Sequence, residues 1–385
     1  GEMHVWLSRA MAALGQYDAG LKSVDRAIGV LKPSEHPVAV ARLLVARGEL
    51  RLRSDPAAAL ADAAKALELW KSKSGVDDAL RLDDLVTAAA LAAGKPKRAL
   101  DAAQKRVALA QKEGRVLDEI PARRRLAEAL TANRERLEAR QNLNLALDLA
   151  KKAGHRVEEA LLMKALGDQL HMSGAHSEAI ARYQRAATLF AQLSRITDRA
   201  ESLQCIGRCY FGKGDYDRAL DHLRAAADAF EKQGASSSLI MARSDVALAL
   251  LAKGMQQEAE ELVKATAKML PSDGLDEPRQ HVLHAQGLLF TAKGELRKAR
   301  KAFLYAAALC RRGHRDFELG DVLAGYGQLL LRAREPKRAW RAARKAETIF
   351  TSLDARGQLK RITPLLNASE GLSGTKREGP RVALR

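Results

Sequence analysis

The feature that most constrains this chain is a step of 40 residues. A small or turn-forming residue recurs at Ser54, Gly94, Arg134, Gly174, Gly214, Gly254, Gly294 and Arg334, each 40 after the last. Five residues beyond each stands an alanine: Ala59, Ala99, Ala139, Ala179, Ala219, Ala259, Ala299 and Ala339. Gly15 and Gly20 hold the same places near the start, which makes nine copies. In most copies a second alanine follows seven residues later, as at Ala27, Ala66, Ala146, Ala186, Ala226, Ala306 and Ala346. Seven residues are two helical turns, so both small residues lie on one face and let a neighbouring helix come close. A unit of this size cannot bury its apolar side alone and must stack on its neighbours.

Each copy reads as two helices around a tight turn. In copy 5, Leu162, Met163, Leu166 and Leu170 recur at spacings of three and four, the pattern of an amphipathic helix. Ser173-Gly174-Ala175-His176 breaks it, and a second stripe runs through Ala179, Ile180, Tyr183, Ala186, Ala187 and Phe190. Pro56, Pro96 and Pro336 each stand three residues before the repeat alanine. That is the first turn of the second helix, where a missing N–H costs nothing. No segment alternates as a strand does. Apolar content is high at 47%, yet aromatics are only 4%, so Ala and Leu fill the packing, as in close-packed helices. The pattern predicts an all-α superhelix of about nine helix-turn-helix repeats, with turns near 15, 54, 94, 134, 174, 214, 254, 294 and 334. A capping helix is expected over about 355–366, and a basic, disordered tail over 368–385.

These units resemble tetratricopeptide repeats. Leu166-Gly167-Asp168-Gln169-Leu170 and Ile206-Gly207-Arg208-Cys209-Tyr210 match the apolar-Gly-x-x-apolar box of that family's first helix, and Gly287 and Gly327 repeat its glycine. Gly214-Asp215-Tyr216-Asp217-Arg218-Ala219-Leu220 reads as the family's turn and second-helix start. The resemblance covers residues 1–367. It implies a right-handed superhelix whose usual 34-residue unit is lengthened here by six residues shared between both helices. This long form is similar to arrays attached to bacterial signalling kinases and ATPase-type regulators. Copies 2 to 4 place Arg47, Thr87 and Ala127 where the glycine belongs, so looser or differently angled packing is expected there.

The same resemblance implies a concave face lined by the first helices, the family's usual peptide-binding surface. Carried onto this chain, its groove positions are Lys164, Asp168 and His171 in copy 5, then Gln204, Arg208 and Phe211 in copy 6. Ser244 follows in copy 7, His281 and His284 in copy 8, and Gln328 in copy 9. The lining is mixed polar with an aromatic, suited to an extended or helical peptide. It lacks the repeated Asn of the Lys/Asn clamp with which chaperone-binding members hold a C-terminal carboxylate.

Motifs of catalysis are absent: there is no GxxxxGK[ST], HExxH, CxxC or GxSxG. Cys205 and Cys209 share a helix face and could ligate zinc with a histidine, but they flank Ile206 in the packing part of the helix and read as small buried residues. His281 and His284 lie three apart with no carboxylate at matching spacing, and read as groove-lining histidines. No enzyme, cofactor or metal is expected.

The net charge is +18, and +12 of it lies between Glu295 and Arg385, where 21 Lys/Arg stand against 9 Asp/Glu. Arg332, Arg334, Lys337, Arg338, Arg341, Arg344 and Lys345 form a candidate basic patch, spread around a turn and a helix rather than along one stripe. The bland reading is a solvated helix face; the alternative is phosphate contact with nucleic acid. No apolar run is long enough to span a bilayer, three cysteines make no disulfide framework, and no secretory leader is visible. We therefore expect a cytoplasmic, non-catalytic sensor or scaffold that binds a protein or peptide, with nucleic acid as the alternative partner and no membrane contact. The chain opens inside the first helix of copy 1, which reads as the cut end of a longer signalling or regulatory protein, preceded by a tag remnant at Gly1-Glu2-Met3.

Overall fold

The structure, a computed structural model, describes residues 2–13, 16–52, 54–70, 75–271 and 276–373. Within these there are nineteen helices and no strand. The Gly15 turn of copy 1, Gly1 and residues 374–385 of the expected tail lie outside the described residues.

The chain divides into two compact units, Gly1–Leu162 and Met163–Arg385. The first holds α1 (Glu2–Ala13), α2 (Tyr17–Val30), α3 (Pro37–Arg51), α4 (Pro56–Trp70), α5 (Val76–Ala92), α6 (Pro96–Lys112), α7 (Val116–Ala132), α8 (Arg136–Lys152) and the beginning of α9 (Arg156–Met172). The second holds the rest of α9, α10 (His176–Gln192), α11 (Ile196–Lys213), α12 (Tyr216–Lys232), α13 (Ser236–Lys253) and α14 (Gln256–Lys268). It continues through α15 (Asp276–Ala292), α16 (Leu296–Arg312), α17 (Asp316–Arg332), α18 (Pro336–Ser352) and α19 (Arg356–Ser373). Each unit is a stack of antiparallel helix pairs, so the architecture is the expected all-α helical-repeat solenoid. No helix among the described residues is long and apolar enough to cross a membrane.

The 40-residue period has a simple cause. A helix such as α5, α6, α7 or α8 has 17 residues, and a three-residue turn joins it to the next. Helix plus turn therefore takes 20 residues, and a pair takes 40. The turns are closed alike. After α5, Lys95 N–H donates to Ala90 O at 2.8 Å and Gly94 N–H to Leu91 O at 3.0 Å, with Gly94 left-handed at φ +66°. This is the Schellman closure, which satisfies carbonyls a helix end would otherwise leave free. The same two bonds close the turns at Arg134, Gly174, Gly214, Gly254, Gly294 and Arg334. They also close a second series, between copies, at Gly114, Gly154, Ser194, Gly234, His314 and Asp354. That series steps by 40 as well, but its residue types vary, so sequence reading did not register it.

The box glycines let large side chains of the second helix press on the first. A Cβ at Gly167 would lie 2.7 Å from the Tyr183 ring, at Gly207 2.6 Å from Leu223 Cγ, and at Gly287 2.7 Å from the Phe303 ring. In copies 2 to 4 the box position carries a side chain. Arg47 reaches Asp62 at 2.6 Å and Asp25 at 2.9 Å, while Thr87 and Ala127 are buried, so each position is filled by other means. The capping helix also runs further than the pattern suggested: α19 continues past Leu366 to Ser373, with Ser369 buried, so residues 368–373 are helical rather than tail.

Two expectations follow for stability. Gly207→Leu must displace Leu223 in a filled interface, costing about 1–3 kcal/mol and lowering the thermal midpoint; an unchanged midpoint would contradict this packing. Arg334→Gly should raise the midpoint, because Arg334 holds φ +58° and a left-handed side-chain residue costs about 1–2 kcal/mol.

Candidate functional site

In the second unit, α9, α11, α13, α15, α17 and α19 form the inner row, and their side chains line a cavity of about 650 Å³. That volume suits a small ligand or a short peptide segment. The cavity is closed at one place by backbone. A Cβ at Gly174, in the turn after α9, would lie 2.9 Å from Gly357 N, at the start of α19. The first and last repeats of this unit thus touch, and α19 is a wall of the cavity as well as a cap.

Polar side chains link one inner helix to the next. Lys164 of α9 pairs with Glu201 of α11. Gln204 Nε2 and Arg208 Nε of α11 both donate to Asp245 of α13, each at 2.7 Å. Tyr183 donates its hydroxyl to Asp168 at 2.6 Å, which seats an α9 carboxylate on the outer helix α10. Partners roughly one repeat apart meet because the 40-residue step brings equivalent faces side by side. Such partly buried pairs fix register more than they add stability.

The cavity also carries charges and dipoles that the fold leaves available. Arg361 of α19 stacks over Phe211, its Cζ 5.1 Å from the ring centroid. Burial pushes Asp321 of α17 up to about 6, against the pull of Arg361. Burial, aided by His281 and Arg361, brings His284 down to about 4. Gln280 and Gln358 are buried on the cavity wall, and their Oε1 atoms have no hydrogen-bond partner among the described residues. Buried polar atoms are nearly always paired, so these two oxygens are exceptions in the wall.

Of the groove positions expected from sequence, Asp168, His171, Arg208, Phe211, His281, His284 and Gln328 line this cavity together. Lys164 and Gln204 are held in the ladder just described, away from the lining. Ser244 is buried, and its hydroxyl donates to Ile240 O at 2.8 Å; its neighbour Asp245 takes the cavity position instead. Sequence reading missed Arg361, Gln358, Gln280, Glu318 and His176. Arg361 and Gln358 lie on α19, a segment whose sequence pattern suggests only a cap.

The seven basic residues do not form one surface. Arg332 turns to the cavity and donates to Thr291 O at 2.9 Å. Lys337, Arg338, Arg341 and Lys345 are exposed on α18, Arg334 is exposed in the turn before it, and Arg344 is paired with Glu347. Arg338 is paired with Glu335 at 2.5 Å.

With this geometry in view, comparison with known proteins is informative. The tetratricopeptide repeat family model matches residues 198–272, within α11 to α14. A Tonsoku-like protein of Drosophila melanogaster is 28% identical over 74 residues, 19% of this chain and 5% of that protein's length. Among solved structures, the apo quorum sensor NprR from B. thuringiensis has a TM-score of 0.58 at 14% identity, covering 90% of this chain and 98% of its own. A Rap protein complexed with competence and sporulation factor has a TM-score of 0.55 at 13% identity, covering 87% and 99%. A signal-transduction ATPase with a tetratricopeptide repeat sensor from Pyrococcus horikoshii has a TM-score of 0.52 at 11% identity, covering 69% of this chain and 41% of its own. Residues 198–272 thus match the tetratricopeptide repeat family, within a helical-repeat solenoid whose fold is like that of these solved structures.

His284 gives the cavity a pH signature. Its folded pKa lies below the ordinary value of 6.5, so the stability it contributes is complete above 6.5 and is lost as pH falls toward about 4. Asp321 acts in the opposite sense, since its raised pKa favours the folded state at low pH. His284→Asn should therefore lose less stability than the parent when thermal midpoints are compared between those pH values. An identical acid slope would show that His284 is hydrated.

Proposed function

We propose that the cavity of the second unit binds a short peptide segment, and that the chain is a non-catalytic sensor or scaffold module of a larger bacterial signalling or regulatory protein. The observation that carries this reading is the cavity itself: a partly open space of about 650 Å³ whose wall offers a stacked cation at Arg361 and carboxylates at Asp245 and Asp321. A peptide's N–H groups and charged side chains supply partners for both charges. The apolar remainder, including Leu248, Leu288 and Phe317, fits apolar side chains between them.

The titratable groups support binding over chemistry. Burial pushes the Cys205 and Cys310 thiols up to about 12, which leaves them poor nucleophiles. Burial and the neighbouring His176, Arg208 and Arg361 bring His171 down to about 3, far from the neutral range that suits a general base. The fold likeness to a quorum sensor, and to an ATPase that carries a repeat sensor, supports a signalling setting.

Selection of short peptides on the immobilised chain, with Arg361→Gln as the comparison, tests the reading. Arg361 is exposed to solvent at the cavity, so its loss should spare the fold. Affinity should drop about tenfold, the scale of one charge-assisted contact, with only modest salt dependence. Retention of nucleic acid alone, with affinity falling steeply as salt rises, would instead move the binding surface to the exposed lysines and arginines of α18.

A further inference from the structure

Beside the seam between the first and last repeats of the second unit lies a cluster that peptide binding does not require. His171 stands in the last turn of α9, His176 opens α10, and Cys209 lies on α11. One donor atom from each falls within 4.8 Å of the others. His171 Nδ1 and Cys209 Sγ are 3.2 Å apart. The geometry points to a binding site for a thiophilic divalent cation, Zn²⁺ by its donor set, held by His171, His176 and Cys209.

Three observations support this assignment independently. The first is distance. Two donors on a tetrahedral zinc stand about 3.5 Å apart, given bonds of about 2.0–2.1 Å to nitrogen and 2.3 Å to sulfur. One pair already has that spacing, and the third donor needs a shift of about 1 Å. The second is an unsatisfied atom: His176 Nδ1 is buried and has no hydrogen-bond partner. The third is space made for the ring. A Cβ at Gly212 would lie 2.8 Å from His176 Nε2, and one at Gly357 would lie 3.4 Å from it, so two glycines leave the room that the imidazole occupies.

The donor chemistry selects the cation. Two imidazoles and one thiolate suit zinc, whereas magnesium and calcium require oxygen ligands. Each neutral imidazole offers one ring nitrogen as a ligand. The Cys209 thiol would release its proton to solvent as the S–Zn bond forms. Arg208, Arg361 and Lys213 lie close enough to disfavour added positive charge, so the thiolate is needed to offset the cation. His171 and His176 also line the cavity, and three protein ligands leave a fourth coordination position open. Zinc here would tie α9, α10 and α11 together next to the Gly174–Gly357 contact.

Titration of the metal-stripped full chain with Co²⁺ tests the site. A near-ultraviolet thiolate-to-cobalt charge-transfer band should appear, saturate at about one cation per chain, and be displaced by Zn²⁺. Cys209→Ser and His176→Gln should each abolish the band while the helical circular dichroism stays that of the parent. Cys205→Ser should leave it intact, because that thiol lies outside the cluster. The assignment is overturned if the parent gives no band, if the band survives Cys209→Ser, or if Cys205→Ser removes it.

Discussion

The left-handed turn that ends each helix sets most of this structure. A helix can run on until something gives its last carbonyls other partners, and here the Schellman bonds do so every 20 residues through much of the chain. Because the interval is fixed, successive inner helices present the same face in the same phase. Residues one repeat apart, such as Arg208 and Asp245, then meet without any long-range instruction in the sequence. The turns that lack glycine, at Arg134, Ser194, His314, Arg334 and Asp354, keep the same backbone conformation, so the geometry outweighs the local preference of the residue.

Given that phase, packing decides which side is inner. Outer helices bury a stripe of alanines and one or two large side chains, as with Ala179, Tyr183, Ala186 and Phe190 on α10. Inner helices meet these large groups with glycine. In the second unit the accumulated rotation brings Gly174 against Gly357, where two residues without side chains allow backbone contact. That contact converts an open groove into a walled cavity. It also explains why burial perturbs His171, His284 and Asp321: they face a space that is partly cut off from bulk water.

Much of this was legible in the sequence. The period, the turn positions and the helix pairs follow from glycine, alanine and proline spacing, which are local properties. Seven of ten expected groove residues line the cavity because the repeat projects one helix face in one direction. What was not legible depends on contacts between distant copies. The Gly174–Gly357 seam joins residues 183 positions apart in number, and no local pattern announces it. Arg361 and Gln358 line the cavity from α19. Ser244 was placed one residue off, since the helix face that reaches the cavity in copy 7 is that of Asp245. The pairing of Cys209 with His171, rather than with Cys205 in the same helix, likewise arises from the approach of α9 to α11.

The central claim is that a ligand sits inside the second unit, against its inner helices. Photo-crosslinking of a selected peptide, with the adducts located by mass spectrometry, tests this most directly. Adducts should fall on α11, α13, α15, α17 and α19, near Phe211, Asp245, His284, Asp321 and Arg361. Adducts confined to the exposed faces of α16 and α18 would contradict the claim and make the basic outer surface the binding site.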